Sequence, residues 1–140
     1  MGLVPIQVDV LAVFVAALIG MVIGALWYSP LLFGKTWMRL MGLTKAHLKA
    51  KKQGMTKVYV LQFIALFVMA YALGIFLSYA GVATSSGVFQ TVFWLWLGFQ
   101  ATLELGSVLW AGKSWNLFFL NSAHNLVVLA AMGWALFSMA

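Results

Sequence analysis

Cysteine is absent from this chain of 140 residues, and only two acids stand against eight Lys and Arg. Without cysteine there is no disulfide framework and no thiol catalysis. Two histidines and two acids argue against a structural zinc site, which draws on clusters of Cys and His. Charge of either sign is scarce, at 7% of residues, where soluble domains carry about a quarter. No nucleophile, base and orienting group form a recognisable set. These absences point away from an enzyme, a bound cofactor and a metal centre.

What is present is apolar: 65% of residues are hydrophobic, with mean hydropathy +1.05. A small soluble domain leaves too much surface exposed to hide that surplus. A bilayer removes the difficulty, and only helices and closed barrels satisfy their backbone polar groups inside one. Barrel strands would alternate apolar and polar residues. Here the apolar runs are unbroken, so an all-α bundle of transmembrane helices is expected, in a single domain spanning residues 1–140. Four runs approach the roughly 20 residues that a crossing requires. They lie near Val8–Tyr28, Val58–Tyr79, Val88–Trp110 and Leu117–Met139.

The first run lacks the basic flank of a signal peptide, since Met1–Val8 holds no Lys or Arg. Ile6 stands where a myristoylation site carries Ser or Thr. The net charge of +6 would suggest nucleic acid in a soluble protein; here it reads as topology and contact with anionic lipid. Lys35, Arg39, Lys45, Lys49, Lys51, Lys52 and Lys57 all lie between the first two spans, and Lys113 between the last two. Four spans put those two loops on one side, and the other side has no basic residue. The expectation is therefore a cytoplasmic basic loop at about 29–57, with both termini outside. Trp27, Tyr28, Trp37, Trp110 and Trp115 fall where spans meet that interface, with Tyr79 and Trp134 near the opposite one.

Ser29-Pro30 should end the first helix, because proline disfavours helical geometry in the residue before it. Leu31–Gly42 then reads as interfacial, with Leu32, Phe33, Trp37, Leu40 and Met41 toward lipid and Lys35 and Arg39 toward headgroups. Thr44–Gln53 suggests a short basic helix capped by Thr44 and ended by Gly54. The loop is read first as an orientation signal touching anionic lipid, and second as a docking surface for a cytosolic partner.

Two loops share a pattern, Gly34-Lys35-Thr36-Trp37 and Gly112-Lys113-Ser114-Trp115, each after a span ending in Leu-Trp. A duplicated two-helix unit is one explanation. Convergence of common interfacial residues is the other. The Gly-Lys-Thr and Gly-Lys-Ser steps look like phosphate-binding loops, but that motif needs a glycine where Ser29 and Ser107 stand, after a strand. Nucleotide binding is rejected on that ground.

The stretch Gly24-Ala25-Leu26-Trp27-Tyr28-Ser29-Pro30-Leu31-Leu32-Phe33-Gly34-Lys35-Thr36-Trp37 resembles the bacterial domain-of-unknown-function family 1761. Trp94–Phe99 in the third span and Trp115–Leu126 in the fourth fit it too. The departure is His124-Asn125, where an aromatic–His–Leu order is the family-like one. The resemblance implies a small multi-span protein of a bacterial inner membrane and supplies no activity, substrate or cofactor.

Polar groups inside the spans are then the best clue, since a charge at depth costs a few kcal/mol and usually faces a partner or water. Gln100, Glu104 and Ser107 share one face of span three; Asn121, His124 and Asn125 share one face of span four. Counting roughly 1.5 Å per residue from Lys113 puts Glu104 and His124 at similar depth. The expectation is that they meet, directly or through water. Asp9 sits at the outer edge of span one. Ala16, Gly20 and Gly24 form a small-residue stripe for close helix packing. Trp94 and Trp96 fill the core, face lipid, or stack on a flat ligand. The eight methionines read as gap-fillers. Two functions remain: an accessory or structural membrane protein, as a homo-oligomer or in a larger complex, and a small-solute or proton transporter or channel using Glu104 and His124.

Overall fold

The structure is a computed structural model and describes residues 8–44, 46–47 and 54–140. Lys45, Lys49, Lys51, Lys52, most of the expected Thr44–Gln53 helix and Met1–Gln7 lie outside the described residues. Four helices are long and apolar enough to cross a membrane: α1 (Val10–Trp27), α3 (Met55–Tyr79), α4 (Ser85–Leu109) and α5 (Trp115–Ser138). Each begins or ends within three residues of the expected span. A fifth described helix, α2 (Gly34–Met41), lies in the first loop.

Local chemistry sets the boundaries. The Asp9 carboxylate accepts from the Leu11 N–H at 2.9 Å and caps α1, a role its position at the span edge did not announce. After Trp27 the chain reverses tightly: the Phe33 N–H donates to the Trp27 carbonyl at 2.9 Å and the Gly34 N–H to the Ser29 carbonyl at 2.8 Å. Gly34 allows this turn, because a Cβ there would lie 2.6 Å from the Tyr28 carbonyl oxygen. Gly42, at φ 68°, ends α2 in the left-handed region, and the Leu43 N–H returns to the Met38 carbonyl. Thr44 exchanges hydrogen bonds with His47, as an N-cap would. Gly54, at φ 92°, immediately precedes α3. Thr84 and Ser114 cap α4 and α5 through their hydroxyls.

α5 is central, touching α1, α3, α4 and α2, while α1 lies between α3 and α5. α4 packs chiefly on α5. The core mixes small and β-branched residues with leucine: Ala12, Val13, Ala16, Ala17, Ala70, Val88 and Val92 are buried with Leu66, Leu73, Leu77, Leu136 and Met132. Many large apolar side chains also point outward, among them Leu103 and Phe99. That inside-out distribution suits a lipid solvent, where helices gain from close contact rather than from hiding apolar area. Glycines make the contact close. A Cβ on Gly20 would lie 3.1 Å from Leu66, and one on Gly133 3.0 Å from Val92.

The two loop motifs do not share a conformation. Gly34-Lys35-Thr36-Trp37 is the first turn of α2. In Gly112-Lys113-Ser114-Trp115, Gly112 is left-handed and Ser114 is the N-cap of α5. α4 also carries a π-helical segment, Trp96–Ala101, which α1 lacks. The duplicated unit therefore has no support in local structure: the same residue types serve helix interior in one loop and helix cap in the other.

Candidate functional site

α2 packs against the start of α5, so Lys35 and Arg39 share one end of the bundle with Lys113. Asp9 and Ala140 line a cleft at the opposite end, with Val82. At the basic end the polar residues of the spans converge. The Tyr28 hydroxyl donates to Asn121 Oδ1 at 2.7 Å, joining the end of α1 to α5. One turn along α5, the His124 ring packs on Tyr28 and Trp27, with centroids 5.0 and 5.8 Å apart. Gly24 faces the ring: a Cβ there would stand 3.6 Å from His124 Nε2, an ordinary van der Waals contact. His124 Nδ1 lies 3.1 Å from Asn125 Oδ1. With that oxygen accepting, Nδ1 carries the proton and Nε2 is the acceptor.

The third span joins the same region. Trp96 Nε1 donates to the Ser122 carbonyl at 2.8 Å. The π-helical segment begins at this tryptophan, and its i→i+5 turn holds one extra residue and re-aims those after it. Gly98 sits in that turn, and its carbonyl is taken by the Thr102 hydroxyl at 2.9 Å. Glu104, one helix segment further along α4, is half-buried.

No hydrogen bond or ion pair joins Glu104 to His124 among the described residues. The polar face of α5 turns toward α1, where Tyr28 and Trp27 pack on the His124 ring. Gln100 points inward, and its Oε1 is buried without a partner. So are His124 Nε2, Trp27 Nε1 and Ser122 Oγ. Ser107 bonds back to the Glu104 carbonyl. Ala16 and Gly20 are buried inside the bundle, with Gly20 covered by Leu66 and Met132, so the stripe presents no open groove there. Trp37 stacks edge-on against Tyr28 at 5.5 Å. Lys35, Arg39, Lys113 and Trp115 are exposed. Trp94 is exposed beside Phe93, whereas Trp96 is half-buried in the bundle. Sequence reasoning missed Trp27 and Tyr28 as members of the polar cluster, because an aromatic pair at a span end reads as an interfacial anchor. The signal was Gly24 one turn earlier, facing the same way.

The fold and this cluster define a four-span helical bundle whose three stretches of family resemblance are linked through Tyr28–Asn121 and Trp96–Ser122. The chain belongs to the family described as Protein of unknown function (DUF1761), which matches residues 11–137. No curated protein and no solved structure matches it.

Proposed function

We propose that the protein is an accessory or structural protein of a bacterial inner membrane, working as a homo-oligomer or within a larger membrane complex and not as an enzyme. Its basic loop faces the cytoplasm and both termini face outside. The observation carrying this is how the polar side chains are spent. Tyr28–Asn121 and Trp96–Ser122 tie α1 and α4 to α5. Such links fix helix register, each contributing about 1 kcal/mol or less.

The test is purification in native lipid with the mass of the assembly measured and co-purifying chains identified. An assembly larger than one chain is expected; a lone monomer overturns the proposal.

A second reading, a proton or small-solute path, draws on His124 Nε2 and Gln100 Oε1, both buried without a partner. Passing protons or polar solutes are the natural occupants of such groups. Reconstitution in vesicles with an internal pH-sensitive dye separates the two readings. Under the first, proton flux matches empty vesicles. Flux that falls on replacing Glu104 or His124 establishes the second.

A further inference from the structure

Between α2 and α5, beside the Tyr28 cluster, lies a cleft of about 440 Å³. Ligand sites span about 300–1,000 Å³. Its lining is graded. Arg39 and Thr36, one turn apart on α2, face it with Asn116 from α5; Phe119, Leu120 and Ala123 continue along α5 as an apolar wall. Trp27 lines the cleft as well, and its indole N–H is buried with no acceptor among the described residues. No acid lines it. The two acids of the chain are elsewhere: Asp9 caps α1 at the far end, and Glu104 is on α4.

We propose that this cleft holds one anionic phospholipid, with its phosphate on Arg39 and one acyl chain along Phe119, Leu120 and Ala123. The chemistry is complementary at each level. A guanidinium presents a fork of donors that matches two phosphate oxygens. The Thr36 hydroxyl and Asn116 amide are neutral donors within the same polar part of the cleft. The apolar wall takes the tail. The position suits this occupant, since α2 is amphipathic and lies at the end of the spans, where headgroups begin. The net charge of +6 draws anionic lipid toward this end in general; Arg39 turns that attraction into a site.

The test is lipid titration of the purified full-length protein in detergent, read by native mass spectrometry. Phosphatidylglycerol is compared with phosphatidylcholine. Wild type is expected to retain phosphatidylglycerol about tenfold more tightly, the scale of one charge-assisted bidentate contact. Arg39→Gln should erase that preference. Lys113→Gln, at the same end but outside the cleft, should keep it. Ala123→Phe, which fills the cleft and leaves Arg39 in place, should lower retention of both lipids. If Arg39→Gln does not fold, Thr36→Val carries the test and should reduce the preference in part. Equal losses in Arg39→Gln and Lys113→Gln overturn the proposal, because they reveal diffuse charge attraction. So does wild-type retention by Ala123→Phe. Displacement of the lipid by free glycerol phosphate at comparable concentration also overturns it, since the site would then hold a free phosphate. None of these outcomes depends on which side of the membrane the basic end faces, or on oligomeric state.

Discussion

An alanine at position 34 would put its Cβ 2.6 Å from both the Tyr28 carbonyl oxygen and the Ser29 carbonyl carbon. Backbone atoms cannot swing aside as a side-chain tip does, so the turn itself must open. Gly34→Ala should lower stability by about 1–3 kcal/mol, the range for forced overpacking, read as a lower melting temperature in detergent. Gly42→Ala meets no neighbour and strains only a left-handed φ of 68°, so a smaller loss of about 1 kcal/mol is expected. Tyr28→Phe removes the donor to Asn121 Oδ1. Its cost should be about 1 kcal/mol or less, and a double-mutant cycle with Asn121→Ala should recover the coupling. The residue scale is where the sequence was least legible. Glu104 and His124 were paired by counting depth along two helices. Depth says nothing of rotation about the helix axis, and rotation decided that His124 meets Trp27 and Tyr28.

Elements were more legible. Apolar length fixed α1, α3, α4 and α5, and Ser29-Pro30 fixed the end of α1. The segment Leu31–Gly42 was expected to be interfacial, and its second part is the helix α2, ended at Gly42. The π-helical turn in α4 was not anticipated, because one extra apolar residue in an apolar run leaves no gap in hydropathy. Gly98 followed four residues later by Thr102, whose hydroxyl takes the Gly98 carbonyl, was the available hint. Deleting Leu97, whose side chain is exposed, should restore regular α geometry and leave the residues after the turn on their present faces, since the π-helical turn holds just one extra residue. The expected result is a melting temperature close to wild type. Deleting Phe89 instead, in the regular stretch Ser85–Leu95, should turn one part of α4 by about 100° against the other and lower the melting temperature clearly.

At the scale of the whole molecule, charge is the readable quantity. Lys35, Arg39 and Lys113 gather at one end, and that end is expected in the cytoplasm. Because the chain has no cysteine, single introduced thiols report on sidedness without background. Ser86→Cys, at the opposite end, should react with a membrane-impermeant maleimide in intact cells. Lys113→Cys should react only after lysis. The reverse pattern inverts the orientation. The family resemblance was also legible at this scale, since the match spans residues 11–137. What the matching stretches do together was legible only once Tyr28, Trp96 and α5 were placed in space.

The central place of α5 bears on the order of manufacture. Of the four spans it is the last to be translated, yet it contacts each of the other three. α1 and α3 can pair as soon as both are inserted. α4 cannot settle, since α5 is its chief neighbour, and until that helix emerges Trp96 lacks the carbonyl of Ser122. A ribosome stalled before Trp115 would thus leave a finished pair and an unattached third span in the bilayer, a form that quality-control proteases and insertion chaperones would meet first.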